Sequence, residues 1–460
     1  MSSINVSEVI DRARLGAPQI LVIALCAMCM VIDGFDVQAM GYVAPALIKD
    51  WHAAKAELGP VFGAGLVGMA IGALAMGIVA DKLGRRSVLV AASLILAASM
   101  AACSRADSLQ QLLVLRFFTG LSMGAIVPNA VALAGEFSPA RIRVSLMMVA
   151  SSGFILGGVL GGTIAAALIP AYGWRSVFIA GAVAPLALAI VMMVAMPESL
   201  QFLTMRGWRL DQVRRWLARI DPTLSLGSDA NLVVSDAPKK GVPFLLLFRE
   251  PLGYGTALLW IINFMNLLAA YFLANWLPVI MSESGHSTAQ AVLAGTTLWT
   301  GGLLGNLLLG WLVDRRGFGP VLVGMFLAAA VGIAMTGQLA SSLLPALVAI
   351  AAAGFCVLGG QSALNTLAAV YYPTSVRSTG MGWALGFGRL GSIFGPVVGG
   401  ELIRLNWATS ELFLAACVPV LLAMVASVAF WRSGRLPRAI GSATAPVMTG
   451  AAVPTRELRT

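Results

Sequence analysis

Gly77-Ile78-Val79-Ala80-Asp81-Lys82-Leu83-Gly84-Arg85-Arg86 returns 233 residues later as Gly310-Trp311-Leu312-Val313-Asp314-Arg315-Arg316-Gly317. Each copy closes an apolar segment with an Asp, basic residues and a Gly, the composition of a tight polar loop between two helices. At an offset of 234, Arg143, Gly157 and Gly161 align with Arg377, Gly391 and Gly395. The chain is a duplication, and the duplicated unit is read from what lies between these markers.

Between them the chain is apolar almost throughout. It is 59% hydrophobic and 11% charged, with a mean hydropathy of +0.88, more than the core of a soluble protein of this length requires. Windows of about 20 apolar residues, enough for a helix to cross hydrocarbon, recur at 18–47, 57–80, 87–103, 111–134, 143–170 and 174–196. Six more follow at 253–281, 290–313, 320–339, 343–370, 377–403 and 409–431. The expected fold is all-α and polytopic, with twelve transmembrane helices in two pseudo-symmetric bundles about an axis along the membrane normal. Its boundaries are an N-terminus 1–17, a first bundle 18–196, a linker 197–251, a second bundle 252–431 and a tail 432–460. The 50 glycines fit this reading, because small residues let helices approach closely in lipid.

Charge gives the orientation. With both termini placed in the cytoplasm, 23 of the 30 Lys and Arg fall inside and 5 outside, and Arg116 and Arg389 lie within segments. The positive-inside rule selects that arrangement, and the expected location is the cytoplasmic membrane. The net charge of +10 follows from it, and with no basic run interleaved with aromatics, nucleic acid is not expected as a partner. No cleaved signal is expected, since the first apolar segment is too long for one. The five cysteines lie in apolar segments and suggest no disulfide framework. Cys26-Ala27-Met28-Cys29-Met30 offers soft ligands without a nearby His, so no metal is expected. Within the linker, Arg209 to Leu217 is amphipathic and suits a membrane interface.

Two carboxylates sit in the first segment. Asp33 and Asp36 are three residues apart on one helix face. Asp33 is fifteen residues beyond Pro18, about 22 Å into the bilayer. Ionised groups at that depth cost at least about 2.5 kcal/mol each on insertion scales, so intramembrane carboxylates point to function. Two like charges so close in low dielectric do not both ionise cheaply, which makes the pair a candidate proton carrier. The competing role is a fixed ion pair with Arg116 or Arg389. Arg389 lies near the middle of the eleventh segment, where a planar guanidinium suits a substrate carboxylate. Arg116 is nearer the outside of the fourth and better placed to couple to the acids of the first.

Phe35, Asn263, Phe264, Asn266, Tyr271, Trp299, Gln361, Asn365, Trp383 and Phe387 lie around the same depth and are candidates for a ring-shaped slot. For each aromatic the competing use is packing, and for each amide it is bonding between helices. Gly386-Phe387-Gly388-Arg389-Leu390-Gly391 spells a dinucleotide fingerprint, but no strand precedes it and it lies inside a helix, so it is discounted.

With these residues in hand a resemblance emerges. The repeated loop is similar to the signature between helices two and three of the major facilitator superfamily, although Phe318 stands where a basic residue would continue the second copy. Arg116-Phe117-Phe118-Thr119-Gly120 and Pro197-Glu198-Ser199 resemble that superfamily's helix-four and helix-six motifs. Asp33-Gly34-Phe35-Asp36 with Pro45, together with the glycine-rich run around Arg389, resembles the aromatic acid:H⁺ symporter family. The resemblance implies a monomeric, non-enzymatic transporter that takes up a benzoate-like or aryloxyacetate-like anion with protons as the coupling ion and no other cofactor. It places substrate contact at Arg389. The expected gate comprises Asp81, Gly84, Arg85, Arg86, Glu136 and Arg143 in one half and Asp314, Arg315, Arg316 and Arg377 in the other. By pseudo-symmetry Asp81 is paired with the Arg377 end of helix eleven and Asp314 with the Arg143 end of helix five. Glu136 joins the first gate through Arg85 or Arg143. A drug or organic-anion antiporter of the same fold is a rival. It is disfavoured because Gly391-Ser392-Ile393-Phe394-Gly395-Pro396-Val397-Val398-Gly399-Gly400 falls in the eleventh segment instead of the fifth. A non-transporting chemoreceptor for aromatic acids is the other.

Overall fold

The computed structural model describes residues 3–222, 231–234, 244–250, 252–373 and 376–434. Its long helices are α2 (Ala17–Trp51), α3 (Leu58–Leu83), α4 (Arg85–Cys103), α5 (Leu109–Glu136), α6 (Arg143–Tyr172) and α7 (Arg175–Ala195) in the first half. They are α10 (Gly253–Glu283), α11 (Thr288–Arg316), α12 (Phe318–Leu339), α13 (Leu343–Tyr371), α14 (Arg377–Arg404) and α15 (Thr409–Arg432) in the second. Three short α-helices, α1 (Val6–Arg12), α8 (Leu200–Arg206) and α9 (Leu210–Ile220), three 3-10 turns at Lys55–Glu57, Ala140–Ile142 and Phe244–Phe248, and two strands, β1 (Ser3–Asn5) and β2 (Asn231–Val233), complete the described elements. Eleven of the long helices are apolar enough to cross a membrane. The twelfth, α14, is as long, at 28 residues, but holds Arg389 mid-helix among its glycines, as a helix lining a polar interior does.

The duplication appears in the packing. Helix α3 lies on α5 as α11 lies on α13; α2 lies on α6 as α10 lies on α14; α4 meets α7 as α12 meets α15. These seams are made by glycine at backbone contact. A Cβ at Gly120 would sit 1.9 Å from the Gly65 carbonyl oxygen, at Gly157 2.0 Å from that of Val31, and at Gly391 2.1 Å from that of Phe264. In lipid such close approach supplies the association that the hydrophobic effect supplies in water. Gly34, between the two acids, is under the same constraint, its Cβ falling 1.9 Å from the Phe154 carbonyl oxygen. Gly34→Ala is therefore expected to force α2 off α6 and reduce folded protein recovered from membranes several-fold, a yield measurable by size-exclusion profile.

The repeated loops turn on their glycines. Gly84 (φ 93°) separates α3 from α4 and Gly317 (φ 79°) separates α11 from α12, a backbone region open to glycine and strained for other residues. Helix α9 differs from its expected position. Val213, Leu217 and Ile220 are buried and Trp216 meets Phe137 edge to face, so its apolar face packs on protein and not on a membrane surface. The tail beyond Gly434 lies outside the described residues.

Candidate transport site

Helix α2 presents its two acids to different neighbours. Arg116 on α5 donates from Nη1 to Asp36 Oδ1 at 2.8 Å and from Nη2 to the Asp36 carbonyl at 3.0 Å, and both side chains are at most 4% exposed. Asp36 is thus a locked ion pair, the competing role considered for it. Asp33, one turn earlier and 0% exposed, has no hydrogen-bond partner on either oxygen. Its strongest opposite charge is Arg389 on α14, acting through space. Arg389 is half-buried, points its Nη1 at Met69 Sδ (3.1 Å), and has no acid within ion-pair distance among the described residues. Tyr271 on α10 lies within electrostatic range of both. A carboxyl of one half without a hydrogen bond is thus electrostatically coupled to a guanidinium of the other that meets Met69.

Truncating one partner of a buried pair leaves the other charge uncompensated, at a cost of about 3–5 kcal/mol. Asp36→Ala is accordingly expected to lower the melting temperature of detergent-solubilised protein sharply. The double substitution Asp36→Leu with Arg116→Leu should recover most of the loss, and a double variant as unstable as the single would refute the ion-pair account.

The amides form one chain between α10 and α13. Asn266 Nδ2 donates to Gln361 Oε1 (2.9 Å) and to the Val357 carbonyl (3.1 Å). Gln361 Nε2 donates to Asn263 Oδ1 (3.2 Å) and Asn365 Oδ1 (3.0 Å). The buried Oδ1 of Asn266 is left without a donor. Gln361, ten residues from the end of α13, and Arg389, twelve from the start of α14, lie about 15 and 18 Å from the same face of the molecule.

The aromatic candidates do not form one slot. Phe264, Phe387 and Trp383 stack in a ladder with Trp260, centroids 5.1–6.1 Å apart. Phe35, rotated about 100° from Asp36 on the helix, packs beside Gly161 and Gly181 inside the first half. Trp299 fills the seam between α11 and α6, against Gly158 and 5.6 Å from Phe154. Tyr271 lies within electrostatic range of the charged residues, and the amides bond among themselves between α10 and α13. Sequence reasoning passed over Trp260, although it precedes Phe264 by one turn on the same face.

A profile of the Major Facilitator Superfamily matches residues 26–214 and 259–459. The chain belongs to the Major Facilitator Superfamily. It is 40% identical over 92% of its length to the 4-hydroxybenzoate transporter PcaK of Pseudomonas putida, 95% of which is covered. It is 39% identical to the gallate transporter of the same organism, covering 96% of this chain and 98% of that one. The benzoate transport protein of Acinetobacter baylyi is 31% identical, with 92% and 91% covered. Among solved structures, a D-xylose-proton symporter shares the fold at a TM-score of 0.69 and 16% identity, covering 92% of this chain and 99% of that one. The chain is therefore a multi-pass membrane transporter and not an enzyme.

In this superfamily member the halves meet along α6 and α11 and on the face distal to the chain ends. On the face distal to the chain ends, Lys55 Nζ pairs with Glu283 at 2.5 Å, Phe62 meets Trp276 edge to face, and Gly59 abuts Gly400. Deeper in, Gln38 Nε2 donates to the Ala274 carbonyl. On the terminal face, where α2 begins and α15 ends, no ion pair crosses between the halves among the described residues. Asp81 and Asp314 are both exposed there, and Asp314 has no ion pair with Arg143 among the described residues. Arg143 pairs instead with Asp11 of α1 and donates to the Ser138 carbonyl. The Arg377 side chain lies outside the described residues. Arg315 stacks over Trp311 (4.1 Å to the ring centre), and Arg316 is exposed.

The first loop is nonetheless wired internally. Arg85 pairs with Glu136, Ser199 Oγ donates to Glu136 Oε2, and Arg86 donates to the Met193 carbonyl. Glu198, 8% exposed, accepts from the backbone N–H groups of Arg86 (2.9 Å) and Ser87 (3.4 Å) and caps α4. It sits where a Cβ at Gly84 would lie, 2.3 Å from Oε2. This capping role was missed from sequence, although Pro197-Glu198-Ser199 had marked the position.

Proposed function

We propose that the chain is a proton-coupled importer of aromatic carboxylates, with the terminal face in the cytoplasm and the molecule drawn here open to the inside. The observation that carries this reading is the wholly buried, unbonded Asp33 carboxyl, within the electrostatic reach of Arg389 from the other half. When Asp33 is ionised, it and a substrate carboxylate compete for one guanidinium. When Asp33 is protonated, the guanidinium is released to bind the anion bidentately. Substrate and proton are then taken together because either alone leaves an uncompensated charge in low dielectric.

The Asn263, Asn266, Gln361 and Asn365 amides supply polar contact for ring substituents at the level of Arg389, and Tyr271 borders the ring. The Trp260 ladder stiffens the wall behind them. Asp36 and Arg116 fix α2 and do not carry the proton. The coupling ion is the proton, the functional unit the monomer, and the site the cytoplasmic membrane, with both termini inside. That relatives at 31–40% identity are named for benzoate, gallate and 4-hydroxybenzoate supports the substrate class.

The test is uptake into proteoliposomes. Labelled 4-hydroxybenzoate should accumulate when the outside is made acidic and equilibrate without a pH difference. Accumulation that ignores the pH difference would overturn the coupling.

A further inference from the structure

Arg143 occupies a position that two acids can claim. From the hydrogen bond between Asn306 Nδ2 and Ser152 Oγ (3.1 Å), where α11 and α6 touch, both helices run on to the terminal face. Arg143 lies nine residues along α6, about 14 Å, and Asp314 eight residues along α11, about 12 Å. The two are level on facing helices. Asp314 is exposed and has no ion pair among the described residues, while Arg143 is held by Asp11, each about one-third exposed.

Asp11 is not on a loose end. Helix α1 is tied to the linker at three points: β1 pairs in parallel with β2 (Ser3 with Asn231, Asn5 with Val233), Gln201 Nε2 donates to Ser7 Oγ at 3.2 Å, and α1 packs on α8 and α9. Val6 and Ile10 are buried in that contact. The acid is thereby presented to Arg143 by a folded platform.

We propose that α1 is a conformational latch: Asp11 occupies Arg143 in the open-to-terminal-face state and must yield it to Asp314 when that face closes. The N-terminal segment sets how long the transporter stays open on that side, independently of which substrate it carries.

The five native cysteines are free and buried, so introduced ones can be labelled selectively. Nitroxide labels on Ser145→Cys near the start of α6 and Arg316→Cys at the end of α11, both exposed, report the separation of the α6 and α11 ends in the full-length protein. Asp11→Asn should raise the population with the short distance by roughly two- to five-fold, the size of a part-exposed ion pair. Asp11→Glu should keep the wild-type distribution, and Asp314→Asn should deplete the short-distance population. An Asp11→Asn variant with the wild-type distribution, or one shifted to longer distances, would overturn the latch. An Asp11→Glu variant that behaves like Asp11→Asn would assign the effect to disturbed packing and overturn it as well. The measurement is made without substrate, so it tests the latch whether or not the proposed cargo is the right one.

Discussion

Asp33→Asn is expected to abolish uphill accumulation while leaving folded protein in the membrane. One proton per monovalent anion makes the step electroneutral, so a pH difference of one unit supports about a tenfold concentration ratio. The amide cannot exchange a proton, and the ratio in potential-clamped proteoliposomes should fall to about one. Asparagine resembles the protonated acid, so exchange of labelled for unlabelled substrate across the membrane should survive. That split separates a coupling residue from a structural one. A variant that still concentrates substrate against a gradient would remove Asp33 from the mechanism. The structure sharpens the expectation because Asp36 is already committed to Arg116.

Arg389→Ala is expected to remove carboxylate binding. Truncating one member of a desolvated charge pair costs about 2–5 kcal/mol, so affinity should fall by about two orders of magnitude. Arg389→Lys should retain a fraction of it, since an ammonium keeps the charge but not the bidentate fork. Ligand-induced thermal stabilisation of purified protein, titrated with 4-hydroxybenzoate, reads both variants without requiring transport. Unchanged midpoints in the alanine variant would rule Arg389 out as the anion clamp.

Much of this was legible before any coordinates. Twelve long apolar windows, a loop repeated at 233 residues and the asymmetry of Lys and Arg are one-dimensional signals, and the bilayer converts them into helices, halves and orientation with few alternatives. Asp33, Asp36, Arg116 and Arg389 stood out because charge is rare in such a chain. The aromatic candidates fared worse for the same reason in reverse. Phe and Trp are ordinary in apolar helices, so depth alone does not tell Tyr271, within electrostatic range of the charges, from Phe35, wedged against Gly161 and Gly181.

The sequence by itself determined that this chain spans a membrane as a duplicated bundle of the Major Facilitator Superfamily and that its chemistry lies in a few intramembrane charges. Only the tertiary structure decided how those charges are shared: Asp36 to Arg116, Asp33 left unbonded within the electrostatic reach of Arg389, Glu198 to the start of α4 and Arg143 to Asp11. Residues three apart on one helix are equivalent in sequence. A pairing depends on which neighbouring helix lies against each of them, and backbone contacts at glycines such as Gly34 and Gly157 fix that choice across more than a hundred residues of chain.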